Sequence, residues 1–105
     1  MKQPNLTYIN KLSKEDGVFA KKLIDIIKFE LPIEKELYNK NMNSRNFKKA
    51  AGNVHKIKHK ISILSFDTGY VLATAHENNL NEGDNSLEKA FDEVLEIISN
   101  YLRSI

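Results

Sequence analysis

Apolar residues recur at threes and fours along most of the chain, and no stretch alternates apolar and polar residues like a strand flanked by turns. The spacing predicts five helical pieces. Leu6 to Leu12 forms a short leading helix, and Ser13 stands where an N-cap belongs, with Glu15 and Asp16 in the first turn that follows. Phe19, Leu23, Ile26, Ile27, Leu31, Ile33 and Leu37 then mark one long amphipathic helix to about residue 40. Pro32 falls inside it and predicts a bend near Lys28 to Leu31 rather than a break, because a proline removes one backbone hydrogen bond. The polar run Asn39 to Ser44 reads as a turn, with Asn43 or Ser44 as the next cap.

The third helix carries Phe47, Ala50, Val54, Ile57, Ile61 and Leu64 on one stripe. Ser65-Phe66-Asp67 interrupts the pattern, and Asp67 is placed to cap a fourth helix through Tyr70, Val71, Leu72 and Ala75 to about Asn79. Asn81 to Asn85 is a loop, and Leu87, Phe91, Val94, Leu95, Ile98, Tyr101 and Leu102 form the last helix. The fold expected is all-α. Four amphipathic helices joined by short loops pack most simply as an up-down four-helix bundle, here with a short additional N-terminal helix, in one domain spanning 1–105.

Composition narrows the chemistry. The chain has no cysteine, which excludes a disulfide framework and thiolate metal ligation. No apolar run has the length of a signal peptide core or a membrane span, so a cytoplasmic protein without membrane attachment is expected. The net charge of +2 conceals a strong asymmetry. Residues 37–66 contain Lys40, Arg45, Lys48, Lys49, Lys56, Lys58 and Lys60 and no acid, whereas residues 67–105 hold eight acids against Lys89 and Arg103. The third helix is therefore the positive pole of the molecule.

On a wheel of about 100° per residue with Phe47 at zero, the apolar stripe of that helix centres near 310° and His55 lies about 130° away from it. His55 is thus expected on the polar face. Lys48, Ala51, Gly52, Lys58, His59 and Ser62 stand at spacings of three, four and seven from it, most of them small or cationic. A phosphoryl carrier requires this arrangement. It needs a neutral imidazole open to solvent, room for a second protein's active site, and cations that offset phosphate charge and attract an acidic partner. Ile63, near 160° on the wheel, is either a further docking contact or a packing residue against the leading helix.

The segment Val54-His55-Lys56-Ile57-Lys58-His59-Lys60-Ile61-Ser62-Ile63-Leu64-Ser65 resembles the phosphorylation site of histidine-containing phosphotransfer (HPt) domains of two-component phosphorelays. That family's motif is a histidine on a bundle helix, an apolar residue two on, a lysine three on, a glycine four on and another glycine about ten on. His55, Ile57, Lys58 and Leu64 fit. Phe47-Lys48-Lys49-Ala50-Ala51 precedes the histidine as in the family, and His76-Glu77 falls where a Leu-Glu pair often ends the next helix. His59 and Ser65 depart from the pattern by replacing the two glycines. The resemblance implies a carrier rather than an enzyme, with His55 as phosphoacceptor and Lys58 supporting the phosphate. Lys48, Ala51, Gly52, His59, Ser62 and Ile63 would form the docking surface. It further implies a carrier without a cofactor of its own, exchanging phosphate between the receiver domains of a hybrid histidine kinase and a response regulator; a bundle of this size can be a monomer. The magnesium ion would sit in the receiver.

Two other readings compete with this one. His55 and His59 are spaced i and i+4 as helical zinc ligands are, but neither has a carboxylate within a turn, and Lys56, Lys58 and Lys60 would repel a cation; no metal is expected. A basic-helix nucleic-acid or protein-binding adaptor bundle is the alternative function. The basic face lacks aromatic residues, and the acidic last third would repel a polyanion, so nucleic acid is the weaker partner.

Overall fold

A computed structural model describes residues 3–14 and 16–105. Its described residues are all-α, with five helices and no strand: α1 (Thr7–Ser13), α2 (Gly17–Asn43), α3 (Phe47–Ile63), α4 (Asp67–Asn81) and α5 (Glu88–Ser104). The molecule measures 43 × 24 × 20 Å, a length set by the 27 residues of α2. Among the described residues, no helix is long and apolar enough to cross a membrane.

Helix starts differ from the expected ones by a few residues, and capping chemistry explains each case. Ser13 is the buried last residue of α1, not a cap; α2 is capped by Asp16, whose carboxylate accepts from the amides of Val18 and Phe19 at 3.0 and 3.3 Å. The role expected for Glu15 lies outside the described residues. Helix α2 runs through the Asn39–Asn43 stretch read as a turn, and α3 is capped by Asn46, which accepts from the Lys49 amide at 3.4 Å, rather than by Asn43 or Ser44. Asp67 lies inside α4 and makes no cap bond. Pro32 sits within a continuous α2, where its missing N–H leaves the Lys28 carbonyl without its usual helical donor.

Helix α3 is packed between α2 and α4, while α5 packs on α4 and α1 on α2. This sandwiching makes the buried arc of α3 wider than its apolar stripe. Val54, Ile57 and Ile61 are fully buried at its centre, and the arc extends on one flank to Lys60 and on the other to Ala51. In α2, by contrast, the single expected stripe divides into two. Ile27, Leu31, Tyr38 and Met42 face the core, whereas Phe19, Ile26, Ile33 and Leu37 are exposed, as is Phe29. Both stripes have helical spacing, so periodicity alone merges them.

The junction after α3 positions the site. Ser65 takes a left-handed conformation, φ 57°, at the position where the resembling family has its second glycine. Its hydroxyl accepts from the Tyr8 amide at 3.2 Å, and the Leu64 carbonyl accepts from the Asn5 amide at 2.8 Å, which fastens the start of the chain to the free end of α3. One turn into α4, Gly69 lies against the Phe66 ring so closely that an added Cβ would meet it at 2.6 Å. Only glycine lets this buried ring fold back on its own helix.

Candidate functional site

The polar face of α3 opposite the core carries His55, as its wheel position predicts. The side chain is 54% exposed, and Nδ1 stands 3.1 Å from Oε2 of Glu77 on α4. Glu77 also receives the Lys58 ammonium, Nζ to Oε1 at 3.0 Å, and Lys58 lies with its Nζ 5.6 Å from the centre of the Tyr70 ring. A neutral imidazole beside a carboxylate presents its N–H there, so Nδ1 carries the proton and Nε2 the lone pair. That Nε2 is not open on all sides. His59 Nε2 is 3.4 Å from it, with the two rings edge to face, centroids 4.9 Å apart.

The surrounding residues divide into those the fold brings to this face and those it does not. Lys48, Gly52, His59 and Ser62 are exposed beside His55. A Cβ on Gly52 would meet nothing within 4 Å, so packing does not require the glycine; it leaves open space next to the ring. Ala51 corrects the expectation. At 3% exposure it lies in the core on the α4 flank of α3, because α4 covers that side, and it offers a partner no surface. Ile63 is half-buried and packs against the core, which favours the packing reading over docking. Lys58 does not stand free beside the imidazole. With 13% of its side chain exposed it is held by Glu77, and its charge reaches His55 through that carboxylate.

The positive pole is smaller than the sequence suggests. Lys60 is buried on the α2 flank of α3 and donates to Glu34 Oε2 at 2.8 Å, with Glu30 Oε1 at 3.1 Å. Burial works against its charge, but the bonds to Glu34 and Glu30 outweigh it and raise its pKa above the ordinary lysine value. Lys60 is thus neither a solvated nor a docking residue. Lys48, Lys49 and Lys56 remain exposed.

Glu77 is the residue that sequence reasoning left without a role. Its signal was its place in the His76-Glu77 pair, where the resembling family often has Leu-Glu, in the helix that follows the acid-free segment. Its neighbour His76 turns the opposite way, fully buried, with Nε2 2.8 Å from the Tyr38 hydroxyl and its ring beside Phe91. Burial pushes His76 down to about 4, which keeps it neutral, and Nδ1 is buried with no hydrogen-bond partner. His76 is therefore a core residue and cannot join the α3 histidines. A groove between α2 and α5, lined by Leu31, Pro32, Ser99 and Leu102 among others, includes none of the site residues.

Among the described residues, no group of three or more metal-type side chains converges. No protein-family model, curated protein or solved structure matches the chain.

Proposed function

We propose that this chain is a histidine phosphotransfer carrier, an up-down bundle of α2 to α5 with α1 laid across one end, in which His55 accepts phosphate through Nε2. The observation that carries the reading is the exposed His55 imidazole with Nδ1 held by Glu77 at 3.1 Å, which directs the lone pair outward from α3. Attack by Nε2 on the phosphorus of a partner's aspartyl phosphate forms the N–P bond as the acyl P–O bond breaks, and the aspartate leaves as a carboxylate. The ring becomes cationic as the new bond forms. Glu77 stands where that charge develops, and Lys58 holds Glu77 in place.

The resemblance of the Val54–Ser65 segment to HPt domains supports the same conclusion. On this reading the partners are receiver domains, which supply the aspartate and the magnesium ion, and the exchange takes place in the cytoplasm. The carrier itself brings a nucleophile and a docking face made of Lys48, Gly52, His59 and Ser62. His59 occupies the approach that a glycine leaves open in the family, so its ring must swing aside for in-line transfer. That makes it the residue on which partner choice turns.

The test is transfer of radiolabelled phosphate from a phosphorylated receiver domain, followed as acid-labile, alkali-stable label. The wild-type chain and His59→Gln accept it, and His55→Gln does not. Label that survives His55→Gln would overturn the assignment.

A further inference from the structure

The His55–His59 pair has a second capability that the carrier chemistry does not use. The two Nε2 atoms are 3.4 Å apart on successive turns of one helix. Two nitrogens bound to one zinc ion at about 2.0–2.1 Å and the tetrahedral angle stand about 3.4 Å from each other. Behind the first of them, Glu77 accepts the other ring N–H of His55, the carboxylate support that metal-bound histidines characteristically have. The structure also removes two objections raised by the sequence. A carboxylate does stand within reach, supplied by α4, and two of the three nearby lysines are already paired, Lys58 with Glu77 and Lys60 with Glu30 and Glu34.

We propose that His55 and His59 form a two-imidazole site for a zinc-class divalent ion, bound through both Nε2 atoms with water completing the shell. With two protein ligands and an exposed position, the site exchanges its ion readily. Metal and phosphate claim the same lone pair of His55. Where the carrier reading holds, bound zinc therefore blocks phosphoryl transfer, and this second clause rests on that reading; the binding itself does not.

Zinc chloride titrated into the metal-free full-length chain tests the site, followed by calorimetry and by the imidazole nitrogen resonances. Zinc should move the Nε2 signals of both His55 and His59 and leave those of His76 in place. His59→Gln should lose the binding while the chain stays folded, and Glu77→Gln should weaken it about tenfold. Absence of binding, binding that survives His59→Gln, or a shift confined to one of the two rings would overturn the proposal. A parallel transfer assay separates the two claims. A chain that accepts phosphate without zinc and stops accepting it with zinc supports both. One that accepts phosphate equally in either condition overturns the competition, and one that binds zinc through both rings but never accepts phosphate overturns the carrier reading and leaves the metal site standing.

Discussion

His55 and His76 are the same side chain on neighbouring helices, and the structure puts them to opposite uses. His55 is exposed and meets a carboxylate; His76 is fully buried and meets a phenol and a benzene ring. Burial, which outweighs the opposing charge of Asp84, drives His76 to about 4 and makes it a neutral packing group. The Glu77 carboxylate instead orients the exposed His55 ring, fixing Nδ1 as a donor and leaving Nε2 free. His76 and the Glu77 that orients His55 are adjacent in sequence. On α4, residue 76 points into the core and residue 77 across to α3, so a one-residue slip of that helix would exchange chemistry for packing.

The largest effect expected from this contrast is on acid stability. His76 titrates near 6.5 when unfolded and at about 4 when folded, so between these values the unfolded chain binds more protons. Stability should therefore fall by about 3 kcal/mol as pH drops from about 6.5 to 4, with no further loss from this group below that. Denaturant unfolding across that range measures it. The non-titrating variant His76→Gln should lack this component, and a wild-type profile as flat as the variant's would break the contrast between the two histidines.

Lysines on α3 repeat the pattern with smaller consequences. Lys60→Ala leaves Glu34, whose other oxygen Oε1 is already buried without a partner, uncompensated; a loss of about 2 kcal/mol is expected after allowing for partial solvent access. Lys56→Ala, on the exposed face, should stay within about 0.5 kcal/mol of wild type. Equal losses from the two would mean that the buried pair contributes nothing. Smaller again is Glu77→Gln, which keeps the shape but loses the charge. The phosphotransfer rate should drop about tenfold, or about 1.4 kcal/mol of barrier, with the fold retained in circular dichroism. An unchanged rate would remove Glu77 from the site.

The net change expected at Ser65 is also small. Glycine would relieve a left-handed conformation costing about 1 kcal/mol but would lose the bond from the Tyr8 amide, so Ser65→Gly should shift stability by less than about 1 kcal/mol. A larger loss, read from the thermal midpoint, would show that fastening the start of the chain to α3 outweighs the strain.

The order of the helices and the exposure of His55 were legible because both follow from the 3.6-residue period, which survives any detail of packing. Helix starts were not, because Asp16 and Asn46 each compete with other capping residues one to three positions away and only local geometry chooses between them. Ala51 and Lys60 were misplaced for one reason. A helix packed on two sides buries about half its circumference, and a wheel shows where the apolar stripe is but not how many neighbours cover its flanks. The exposed half of α2 was hidden by the regularity of its second stripe. Glu77 was beyond reach because its contact joins residues 22 apart across two helices, and periodicity speaks only for one helix at a time.

The most direct test of the central claim identifies the phosphorylated atom. The nitrogen-labelled chain, treated with phosphoramidate as a small-molecule donor and examined by phosphorus and nitrogen NMR, should carry its phosphate on Nε2 of His55, with Nδ1 still protonated toward Glu77. Phosphate on Nδ1 of His55, or on His59 with His55 unmodified, would contradict the account.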